Sequence, residues 1–138
     1  AVCPRGSDLA GIRNRLRAEG RTVLDAAGIG YASEEEVAAR QGDLLENGKV
    51  RGVGRSGNST MQSLMRGKTD SEADYINGEI VQLGRLHNIP TPANLVLQRL
   101  ANSLARGVGE PNTLPPEDLS GLIDAAAREA DRSWFRRR

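Results

Sequence analysis

The chain has 138 residues, with 19 Lys and Arg against 18 Asp and Glu, 38% hydrophobic and 3% aromatic side chains, which bounds it to about one small domain with a modest core. A net charge of +1 excludes the strongly basic face that nucleic acids and anionic membrane surfaces require, so neither is expected as a partner. Its single cysteine, Cys3, excludes an internal disulfide and a thiolate-held structural zinc.

In chain order, Leu9, Ile12, Leu16, Leu24 and Ala27 keep a helical period after the cap residues Ser7 and Asp8, and Gly28 is a natural stop. Gly20 is expected to kink or divide this helix. Ser33 and Glu36 have the reciprocal capping-box spacing, and Glu34, Glu35 and Glu36 suit the positive end of a helix dipole, which predicts a second helix to about Glu46. The stretch 47–58, NGKVRGVGRSGN, is glycine-rich, polar and basic, and reads as a flexible loop. A short helical run from Thr60 to Met65 ends at Gly67.

Ala73, Ile76, Ile80 and Leu83 then form one stripe on a helix expected to be largely buried. Asn88 to Pro92 is a tight connector in which Thr91 caps and Pro92 takes the first helical position; Leu97, Leu100, Ala101 and Leu104 form the next stripe, and the two helices should pack as neighbours. After the loop GVGEPNTLPP, Leu119, Leu122, Ile123 and Ala126 define a last amphipathic helix. A tail follows from about residue 131. No internal repeat and no βαβ unit is present, so the fold class is all-α, a single helical domain over 1–138.

No apolar run approaches the roughly 18 residues of a spanning helix, and the opening AVCPRGSDLA lacks the features of a signal peptide, so a cytoplasmic, membrane-free protein is expected. The start at Ala1 rather than Met reads as a piece of something longer.

Gly52, Gly54 and Gly57 spell G-x-G-x-x-G without the buried strand that lets such a turn cradle phosphate, so they are read as loop. Gly67, Lys68 and Thr69 resemble the end of a P-loop, but Gln62 stands where its first glycine belongs. Asn58, Ser59 and Thr60 can cap a helix start, and the same free amides and hydroxyls can hold a carboxylate or phosphate. Glu72 near a helix start and Glu79 one heptad on read by themselves as solvated surface acids. His87, the single histidine, falls in a last helical turn without a second soft ligand, so no metal is expected. Arg136, Arg137 and Arg138 read as a frayed end.

The stretch from Ser59 to Pro92, STMQSLMRGKTDSEADYINGEIVQLGRLHNIPTP, resembles the C-terminal domain of the ketopantoate reductase family. The resemblance rests on Ser59 or Thr60, on Gln62, Gly67 and Lys68, on the run Ser71, Glu72, Ala73, Asp74, Tyr75, Ile76, Asn77 and Gly78, and on Ile89, Pro90, Thr91 and Pro92. It implies a helical bundle similar to the C-terminal domain of 6-phosphogluconate dehydrogenase, joined in family members to an N-terminal Rossmann domain that binds NADP. The reaction implied is reduction of 2-dehydropantoate, a small 2-oxo acid, to pantoate in pantothenate biosynthesis. Glu72 matches the family's active-site glutamate, and Ser59 or Thr60 its substrate-binding serine. Asn58 takes the role of a substrate-contacting asparagine only if the local loop is shifted.

One departure stands out. The family's catalytic lysine and two following asparagines lie on the first helix of this domain, and residues 1–10 have no such pattern. The resemblance therefore implies that the chain begins just after that helix and is inactive alone. Loss of the helix exposes its docking groove, so a homodimer or a swapped helix is expected. The alternative reading is a non-catalytic helical dimerisation or interaction module with the same fold.

Overall fold

The computed structural model describes residues 6–41, 73–110 and 113–135, and every regular element among them is helical. The helices are α1 (Gly6–Ala26), α2 (Glu34–Gln41), α3 (Ala73–Leu86), α4 (Pro92–Ala105) and α5 (Pro116–Phe135). The all-α class is therefore observed. The 47–58 loop, the Thr60–Met65 run and the stretch of the second helix beyond Gln41 lie outside the described residues.

Helices α3 and α4 form the closest pair, α4 also packs on α5, and α1 lies against all three. The core is small: Ile12 of α1, Ala93 and Val96 of α4 and Ile123 of α5 are buried together, with Leu16, Leu100, Leu119 and Ala126 packed around them. Ile123 and Val23 have no exposed surface. An exposed ion pair between Arg15 and Asp124 at 2.6 Å joins α1 to α5, a contact of about 0.2–1 kcal/mol. A second, between Arg21 and Glu34, joins α1 to the start of α2.

Local chemistry fixes the helix ends. At α1 the amide of Ile29 donates to Leu24 at 2.9 Å and that of Gly28 to Asp25 at 3.1 Å, while Gly28 adopts φ 68°. This is a Schellman stop, and it lies where the sequence places it. At α3 the residue in the left-handed region is Asn88, φ 56°, whose short amide tolerates that conformation. The capping box at α2 also forms: Ser33 N–H donates to Glu36 Oε2 at 2.8 Å and Glu36 N–H to Ser33 Oγ at 3.1 Å.

Several expectations are corrected. Helix α1 already includes Gly6, so Ser7 and Asp8 stand within it rather than before it, and it runs through Gly20 unbroken. Helix α5 continues to Phe135, into the stretch read as tail. On α3 the buried seam is rotated by about one residue: Ile76 is 66% exposed, whereas Val81 and Gly84 are buried. The reason is steric. A Cβ at Gly84 would lie 2.7 Å from the Ile89 carbonyl oxygen and 2.8 Å from Thr91 Cγ2, so the glycine edge of α3 is the one that the returning chain can approach. Leu9 and Leu122, expected on buried stripes, are also exposed, whereas the fully buried Val23 was absent from the expected stripe of α1.

The Tyr31 hydroxyl is held above its ordinary pKa of 10.0 by desolvation, then by its hydrogen bond to Asp25 and the charge there, with Arg21 opposing. A raised folded-state pKa stabilises the fold below the unfolded value and loses that contribution as pH rises through the folded one. Urea melts should accordingly show the stability of the wild type falling relative to Tyr31→Phe above about pH 10. Ile123→Ala should cost about 2–5 kcal/mol in the same assay, because a cavity opens where three helices meet. Gly84→Ala should cost about 1–3 kcal/mol, since backbone rather than a flexible side-chain tip must yield.

Candidate functional site

Three polar side chains from three helices converge beside the core. Glu19 of α1 reaches the first turn of α4, where its Oε1 accepts from the Ala93 amide at 2.8 Å and its Oε2 from the Asn94 amide at 3.0 Å. Asn94 Nδ2 donates to Glu19 Oε2 at 2.8 Å and approaches the Leu16 carbonyl at 3.3 Å. Asn94 Oδ1 in turn accepts from Asn77 Nδ2 of α3 at 2.9 Å. Every assigned hydrogen bond has its donor and acceptor in register, and no buried side-chain polar atom among the described residues lacks a partner.

The arrangement answers a specific electrostatic need. Helix α4 begins Thr91-Pro92; Pro92 contributes no amide, but the next amides point out of the helix start and carry its partial positive charge. Thr91 was expected to cap them. It occupies the N-cap position with its side chain making no capping bond, and it is buried. The Glu19 carboxylate supplies the acceptor from another helix, so α4 is capped and docked onto α1 by one group. Because Asn94 faces Asn77, the same group sets the height of α3 against α4.

Asn77 belongs to the Asp-Tyr-Ile-Asn-Gly run, and the sequence reading assigned neither it nor Glu19 and Asn94 a structural role. A signal was present. Asn77, Val81 and Gly84 follow i, i+4, i+7, so a polar residue on that seam must find a partner once buried.

Glu72 directly precedes α3 in the sequence, but Glu72, Ser59, Thr60 and Asn58 all lie outside the described residues, as do the glycine motifs at 52–57 and 67–69, Cys3 and Arg136–Arg138. Glu79 and His87 are exposed on α3 and at its end. Among the described residues no group of His, Cys, Asp and Glu is arranged to hold a metal, and no helix is long and apolar enough to cross a membrane.

At the other end of α3 an open groove of about 890 Å³ runs between α3 and α5 over the start of α4. Its walls include Val81, Arg85, Leu95, Arg99, Ala126 and Glu129.

The comparisons with known proteins can be set against this geometry. Residues 5–105 match the family model described as ketopantoate reductase PanE/ApbA C terminal. That span covers α1 to α4 and includes every residue of the Glu19, Asn94 and Asn77 network. The chain is thus an all-helical domain from a family named for a reductase. It belongs to the ketopantoate reductase C-terminal family. No curated protein and no solved structure matched it.

Asn94→Leu should cost about 1–3 kcal/mol in denaturant unfolding, because it removes the side-chain bonds to Glu19 and Asn77 and leaves the half-buried Asn77 amide without that acceptor. Glu19→Ala should lower stability and speed hydrogen exchange at the Ala93 and Asn94 amides. A network that merely decorates the surface would leave both exchange rates unchanged.

Proposed function

We infer that this chain is the substrate-side domain of an NADPH-dependent cytoplasmic reductase of a small 2-oxo acid, with 2-dehydropantoate, reduced to pantoate in pantothenate biosynthesis, as the substrate. The observation that carries this reading is the family match over residues 5–105, which includes the positions of Ser59, Thr60 and Glu72.

Reduction of a 2-oxo acid needs a hydride donor against the carbonyl carbon, a proton for the developing alkoxide and an anchor for the carboxylate. NADPH supplies the hydride when bound. In this reading the nucleotide is held by an N-terminal Rossmann domain, as the family resemblance implies, while Glu19 occupies the first amides of α4. The hydroxyl of Ser59 or Thr60 binds substrate oxygen, and Asn58 joins it if the local loop is shifted. Glu72 orients the substrate or favours the ammonium form of the family's lysine, because a nearby carboxylate stabilises that charge. Helix α3, which follows Glu72 in the sequence, is tied through Asn77 to Asn94 and thence to Glu19.

The purified chain is expected to leave NADPH unoxidised in the presence of 2-dehydropantoate, since two of the three requirements lie elsewhere. In the intact reductase, Glu72→Gln should lower kcat by about 10²–10⁴-fold, the range of a positioned acid-base group, with the circular dichroism unchanged. An unaltered kcat would remove the catalytic reading and favour a domain that serves association.

A further inference from the structure

We propose that the groove between α3 and α5 is a binding site for a short apolar peptide with both termini free. The inference concerns the groove alone and stands or falls separately from the reductase reading.

The groove contains an unsatisfied hydroxyl. Thr91 lines it and is only 7% exposed, yet its side chain makes no capping bond to α4, because Glu19 already accepts from the Ala93 and Asn94 amides. Among the described residues the Thr91 hydroxyl has no hydrogen-bond partner. No side-chain polar atom sealed from solvent lacks one, so the little surface that Thr91 keeps includes its oxygen, and that surface belongs to the groove. Its methyl faces α3 instead, where a Cβ on Gly84 would lie 2.8 Å from Cγ2. A hydroxyl held this deep without a partner is unfavourable until something supplies one.

Two cations and two anions surround the same space. Arg85 of α3 and Arg99 of α4 line the groove together with Glu129 and Asp131 of α5, and all four are exposed. Arg15 and Arg21 form ion pairs with Asp124 and Glu34. Among the described residues no pair forms between these four, so their opposite charges stand more than about 4 Å apart. A purely anionic or purely cationic ligand would be attracted by one pair and repelled by the other. A zwitterion satisfies both, and one that spans them must be longer than a single amino acid, whose own charges are neighbours.

A dipeptide fits that description, extending about 7 Å at ~3.5 Å per residue. Its carboxylate suits the guanidiniums, which bind carboxylates through paired N–H donors. Its ammonium suits Glu129 and Asp131, and the amide between meets the Thr91 hydroxyl, which both donates and accepts. Val81, Leu95 and Ala126 offer apolar surface to its side chains. The volume of about 890 Å³ falls within the roughly 300–1,000 Å³ of small-molecule sites.

The test is an amide-resolved NMR titration of the chain with leucyl-leucine, the same spectra verifying the fold. Shifts should saturate around Thr91 and Arg85 with a Kd of about 1 mM or below. N-acetyl-leucyl-leucine, which lacks the ammonium, and leucyl-leucinamide, which lacks the carboxylate, should each bind about tenfold more weakly or worse. Arg85→Gln with Arg99→Gln should weaken leucyl-leucine to the same degree and leave leucyl-leucinamide unaffected. Glu129→Gln with Asp131→Asn should weaken leucyl-leucine and leave the acetylated peptide unaffected. Thr91→Val keeps the shape of the side chain and should weaken leucyl-leucine about threefold to tenfold. Absence of saturable shifts at up to about 20 mM overturns the proposal. Equal binding of either singly charged derivative refutes the two-ended recognition, and affinity that survives both double variants in a folded chain refutes the site.

Discussion

The Glu19 carboxylate is the group on which the relative placement of α1, α3 and α4 depends. It takes two backbone amides of α4 and the side-chain amide of Asn94, which itself holds Asn77 of α3. Hydrogen bonds to a charged acceptor contribute roughly 1.5–3 kcal/mol each, more than the neutral kind. Their directionality matters as much as their strength. A core built from Ile12, Ala93, Val96 and Ile123 permits a range of helix heights and rotations, because apolar contact is non-directional. The carboxylate does not.

That constraint explains why so small a core suffices for a defined arrangement. With 3% aromatic residues, the chain lacks the large rings that usually lock helices in register, and the polar network takes over that task. Gly84 completes it from the other side by letting the Ile89–Thr91 segment close against α3, so that the α3–α4 turn is tight enough for Asn77 and Asn94 to meet. Helix α3 is thereby fixed at its Asn77 turn.

Much of the architecture was legible from local rules. Gly28 as a stop, Ser33 with Glu36 as a capping box and Pro92 as a first helical residue all depend on a few neighbouring residues, and all stand where the sequence puts them. What misled was side-chain polarity read alone. Ile76, being apolar, was assigned to the buried face of α3, while Asn77, being amide-bearing, was not; the burial runs the other way because Asn77 has a partner 17 residues on and Gly84 must face the turn. Thr91 failed as a cap for the same kind of reason, since a stronger acceptor arrives from α1. For the candidate site, the motif around Glu72 was legible as a family pattern, and the family match includes it.

The amino-acid sequence by itself determined the all-helical class, the ends of most helices and the family, because these follow from periodicity, from capping chemistry within a few residues, and from a motif contiguous in the chain. Only the tertiary structure decided which face of each helix is buried, that Glu19 caps α4 from 74 residues away, and that Arg85 and Arg99 share a groove with Glu129 and Asp131. Those facts join residues distant along the chain. No local propensity encodes a partner that only packing brings within hydrogen-bonding or Coulombic reach.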